Sequence, residues 1–118
     1  MNSLPAQRLA AFAGFLAVAL GAFGAHGLQP LLEKNGTLSV WHTAALYHLV
    51  HAVVLLVLAQ RAAVARLPFA LLGAGIVIFS GSLYALAVTN VKWLGAITPL
   101  GGVCLLGGWL ALMWKPRL

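Results

Sequence analysis

Trp41-His-Thr-Ala-Ala-Leu-Tyr-His-Leu-Val-His-Ala52, continued by Val53-Val-Leu-Leu-Val-Leu-Ala59, is the stretch that decides the fold. Its 19 residues contain no Asp, Glu, Lys or Arg. About 20 apolar residues, rising 1.5 Å each, cross the ~30 Å hydrocarbon layer of a bilayer. Yet its first eleven residues hold three of the four histidines and one of the two tyrosines. It therefore predicts a membrane-spanning helix whose polar groups need partners inside the membrane.

Composition extends that reading to the whole chain. Of 118 residues 63% are hydrophobic and 7% charged, with a mean hydropathy of +1.02. Ordinary soluble domains carry about 25% charged residues, so a water-soluble fold is excluded. Seven Lys and Arg against one acid give a net charge of +6. These cations punctuate apolar runs instead of lining one face, which argues against nucleic acid and for topology-setting flanks. Cys104 is the only cysteine; it offers neither a disulfide nor a thiolate pair and reads as a small apolar residue.

Outward from the central stretch, the pattern predicts an antiparallel four-helix transmembrane bundle, all-α and a single domain, with helices over about 9–28, 41–60, 69–89 and 97–114. The first run, behind Arg8, also resembles a secretory signal, but its length favours a spanning helix. Residues 29–40 read as a polar connection with a turn at Asn35-Gly36 and with Leu31-Leu32 along the interface. Trp41 is expected at the membrane boundary. Arg8, Arg61, Arg66, Lys115 and Arg117 fall on one side, with Lys34 and Lys92 on the other; the positive-inside rule then places both termini in the cytoplasm. Two stripes of mostly small residues, Ala13/Ala17/Gly21/Ala25 and Gly73/Val77/Gly81/Ala85, are expected to be packing faces. They leave room for a homo-oligomer or a membrane-protein partner beside the lipid bilayer itself.

The candidate polar cluster is His26, Thr43, Tyr47, His48, His51, Ser80, Ser82, Tyr84 and Thr98. Counted from Trp41, His48 lies about 10 Å deep and His51 about 15 Å. Thr43, Tyr47 and His51 share a face, His48 lies beside it, and His42 points away. Ionisable residues at such depth are functional candidates, and their plain alternative is hydrogen bonding between helices that sets register. Without a membrane carboxylate, His51 is expected to be neutral. A His-ligated metal or haem would need histidines on facing helices, whereas His48 and His51 share one. A Ser80 or Ser82 dyad with His51 lacks a nucleophile motif, since position 78 is Ile78. A small transporter with a histidine-lined pathway is the remaining alternative. These readings favour a structural or interaction protein over an enzyme, with no catalytic residue, metal or cofactor assigned. His51 with Tyr47 is expected to face the serine-glycine turn of the third helix.

Four ordered motifs, Gly21-Ala-Phe-Gly-Ala-His26, Tyr47-x-x-x-His51, Phe79-Ser-Gly-Ser-Leu-Tyr84 and Thr98-Pro-Leu-Gly-Gly102 followed by Gly108-Trp109, resemble the DUF423 family. These small four-helix membrane proteins are also called UPF0382 and are similar to the eukaryotic transmembrane protein 256 group. The resemblance covers essentially the whole chain. It implies a bacterial inner-membrane location and brings no established activity or cofactor. In its pattern His26 and His51 are included while His42 and His48 are not, which suggests a His26–His51 relationship.

Overall fold

The first helix begins where a side chain gives its backbone a partner. The computed structural model describes residues 2–114, so Lys115 and Arg117 of the charge count lie outside the described residues. Helix α1, Ser3–Ala25, starts where the Asn2 side chain accepts the Leu4 N–H at 3.1 Å. This is an ordinary N-cap, and it carries the helix six residues beyond its expected start at 9. Gln7 and Arg8 are thus helical, and the Gln7 amide donates to the Ala59 carbonyl at the end of the second span.

The connection expected to be a polar loop is largely helical. Helix α2, Gln29–Asn35, ends at Gly36, whose φ of +69° is the left-handed helix stop that glycine adopts without strain. Leu31 is exposed as an interfacial residue should be, but Leu32 is fully buried. Helix α3, Leu38–Leu58, contains the deciding stretch. The third span, Arg66–Thr89, is α4 (Arg66–Gly75), a π-helical turn (Ile76–Ser80) and α5 (Gly81–Thr89). A 3-10 turn, Lys92–Ala96, leads into α6, Thr98–Trp114, with Pro99 in the first turn where a missing N–H costs least.

The four spans are antiparallel and pack in chain order: α1 on α3, α3 on the third span, the third span on α6. The result is a slab of 46 × 26 × 17 Å. One apolar cluster (Ala10, Leu55, Leu58, Phe69, Leu72, Leu105 and neighbours) holds the end bearing the arginines. A second, around Leu32, Trp41 and Ala87, holds the end bearing α2. Four buried polar groups lie between them, His48, His51, Ser80 and Ser82, and a fifth, Thr37, lies at the α2 end.

Small residues do the packing, though not the two stripes expected. On α1 the buried set is Ala6, Ala10, Ala17 and Gly24. Ala17 alone belongs to the anticipated stripe, because the face is set by Trp41. Its ring lies so close to Gly24 that a Cβ there would overlap it, and its indole N–H donates to the Leu20 carbonyl at 2.9 Å. Trp41 is 2% exposed, a core residue instead of a boundary anchor. On the third span Val77 is 72% exposed, with Gly81 and Ala85 exposed beside it. The π turn is one reason: its extra residue rotates everything after Ser80 by about 100° relative to a regular helix. The close approach is made by Gly75 against Leu105, Gly101 against the Phe79 backbone and Gly108 against Leu72. There van der Waals contact at backbone distance replaces the hydrophobic drive that lipid does not supply.

Candidate functional site

The polar groups of α3 are split between two directions by the helical repeat, and each direction has its own partner. His48 and His51 are both 5% exposed. His48 turns towards α1 and the third span: its Nδ1 is 2.9 Å from the Tyr84 hydroxyl, and its ring also meets the Ala13 backbone carbonyl. Tyr84 in turn packs against Trp41 with ring centroids 4.7 Å apart.

His51 turns to the fourth span. The Trp109 indole N–H donates to its Nε2 at 3.0 Å, and its Nδ1 lies 2.7 Å from the Tyr47 carbonyl. Indole nitrogen is a donor only, so Nε2 carries no proton and Nδ1 must donate to Tyr47. This geometry places the His51 ring proton on Nδ1.

Serines tie the remaining spans. Ser80 donates to the Ala44 carbonyl at 2.8 Å, and Ser82 bonds the Phe79 carbonyl at 3.0 Å and the Thr98 hydroxyl at 2.6 Å. Neither serine bonds a histidine in these positions, so the serine–histidine pair considered from sequence is not assembled. At the α2 end, the Thr37 hydroxyl and Asn35 amide donate to the Ala87 carbonyl at 2.7 and 3.1 Å. They satisfy the last turn of α5 from outside.

Against expectation, the family-pattern histidines do not form one cluster. His26 is exposed at the end of α1, where its backbone N–H closes the helix on Ala22 and Phe23. Thr43 is exposed as well. Tyr47, 43% exposed, lays its ring on Phe79 at 4.8 Å, so the tyrosine does meet the third span. It is His48, outside the family pattern, that reaches that span's Tyr84, while His51 faces Trp109. Depth and face can be counted along one helix, but which neighbour stands at that face depends on how the spans are laid side by side. Trp41 and Trp109 are the residues that sequence reasoning missed as partners. The available signal was chemical: an indole N–H away from water needs one acceptor, and a neutral imidazole offers one.

As a ligand set the cluster is closed. Among the described residues no group of three His, Cys, Asp or Glu converges on a metal-sized site. Both His51 nitrogens are engaged in hydrogen bonds. No buried side-chain nitrogen or oxygen among the described residues lacks a hydrogen-bond partner.

Comparison with known proteins bears on what such an arrangement belongs to. The family described as "Protein of unknown function (DUF423)" matches residues 20–102. The UPF0382 membrane protein YwdK of Bacillus subtilis is 47% identical over 111 residues, covering 89% of each chain. A UPF0382 membrane protein of Haemophilus influenzae is 43% identical over 110 residues, covering 90% of this chain and 88% of its own. One from Staphylococcus aureus is 42% identical over 109 residues, covering 89% and 88%. No solved structure matches.

Proposed function

The chain belongs to the DUF423 family of small polytopic membrane proteins, and from that premise we propose that it is a structural or interaction protein of the bacterial inner membrane, not an enzyme. Both ends of the chain face the cytoplasm in this reading, because Arg8, Arg61 and Arg66 lie at one end of the slab and Lys34 and Lys92 at the other. The observation that carries the proposal is that, among the described residues, every fully buried side-chain nitrogen and oxygen has a hydrogen-bond partner inside the protein. A catalytic or transporting group must be available to something other than the protein. Here His48 joins the first three spans, and His51 joins the second to the fourth. Exposed Ala25 on α1 and Ala85 on the third span supply small-residue surface at which another chain can approach closely.

A double-mutant cycle on His51→Ala and Trp109→Phe, read by thermal unfolding in mild detergent, tests the scaffold role. Interhelical hydrogen bonds in membranes are worth about 0.6 kcal/mol on average and up to roughly 1.7. The expected outcome is two destabilising single variants whose effects do not add. Unchanged melting for both would remove the basis of the proposal.

A further inference from the structure

We propose that the groove between the first and third spans holds one acyl chain of an anionic phospholipid whose phosphate sits at Arg8 and Arg66. The groove has α3 as its floor and α1 and the third span as walls, and its volume is about 390 Å³. That is within the range of small-ligand pockets, roughly 300–1,000 Å³. On α1 it runs from Leu9 to Leu20, a rise of ~16 Å, about the depth of one leaflet of the ~30 Å hydrocarbon layer.

The lining selects hydrocarbon. The polar groups reaching it, His48, Ser80 and Tyr84, cluster towards its far half and already bond within the protein, so water would gain little there. Gly73 and Gly81 keep the wall open: a Cβ on either meets nothing within 4 Å. At the near mouth the chemistry changes sign. Arg8 directly precedes Leu9, and Arg66 stands one helical turn before Phe69; both arginines are exposed. The chain's one acid, Glu33, is in α2 at the opposite end. An apolar channel one leaflet deep, opening beneath two arginines, complements an anionic lipid: headgroup at the cations, tail along α3.

The test uses the full chain in phosphatidylcholine vesicles containing phosphatidylglycerol with a diazirine on its acyl chain, photolysed and mapped by mass spectrometry. The expected result is labelling of Leu16 and Val77 well above that of the lipid-facing Val103 and Leu110 of α6, and weaker groove labelling from a phosphatidylcholine probe with the same diazirine. Gly81→Leu should abolish the excess while circular dichroism shows the helices retained; Gly73→Leu serves if the first variant does not fold. Arg8→Gln combined with Arg66→Gln should keep the acyl labelling and lose the preference for the anionic probe. Equal labelling of the groove and the α6 face, or equal groove labelling by both probes in the unaltered protein, overturns the proposal. So does an unlabelled groove in which Val77→Cys cross-links to a second copy, because the occupant would then be another chain.

Discussion

Trp109 and Gly24 show how single atoms set the packing of the spans. Replacing Trp109 by Phe keeps the ring and removes one N–H, leaving His51 Nε2 without its donor. A stability loss of about 1 kcal/mol is expected in a thermal melt, and ¹⁵N NMR of the unaltered protein should show the His51 proton on Nδ1. Gly24 gives a sharper contrast. A methyl group at Gly24 runs into the Trp41 ring, whereas one at Gly21, three residues away, meets nothing within 4 Å. Gly24→Ala should therefore cost roughly 1–3 kcal/mol by overpacking, and Gly21→Ala should leave unfolding within error. Equal melting of the two variants would mean that Trp41 does not hold α1 in place.

Among the elements, α2 and the π turn organise the two ends of the slab. The α2–α3 turn caps α5 from outside through Thr37 and Asn35, so the turn belongs to the third span energetically although it is distant in sequence. Thr37→Val, which keeps the shape and removes the hydroxyl, should cost about 1 kcal/mol, and backbone amide exchange should quicken in α2 and the last turn of α5 together. The spans themselves were legible in the sequence because a ~20-residue apolar run has few other meanings, and the Asn35-Gly36 stop and Pro99 start were legible as local chemistry. The inward faces were not. The spacing of Gly73, Val77, Gly81 and Ala85 assumes 3.6 residues per turn throughout, and the π turn interrupts that count between Ile76 and Ser80. On α1 the Trp41 ring, not the four-residue spacing, chose the face.

For the whole molecule, the charge distribution makes the orientation testable. In a Cys104→Ser background, Lys34→Cys should react with a membrane-impermeant maleimide in intact cells, and Ala63→Cys only after permeabilisation. The reverse pattern would invert the topology without altering the fold. Sequence could indicate the sidedness and the number of crossings. It could not indicate that the spans lie side by side in chain order, because a strip and a closed four-helix square share the same hydrophobic runs. The histidine partners were hidden for the same reason: nothing in the sequence places Trp109 of α6, 58 residues away, beside His51 of α3.

The Trp109–His51–Tyr47 arrangement has one more consequence. A row of hydrogen bonds can conduct protons only if each member accepts one at one side while releasing one at the other. This row begins at an indole, which gives a hydrogen bond and takes none, and ends at a peptide carbonyl, which takes one and gives none. Both terminals are insulators. However close to mid-membrane His51 stands, this row carries no proton current, and a midplane histidine here is compatible with a membrane that holds its voltage.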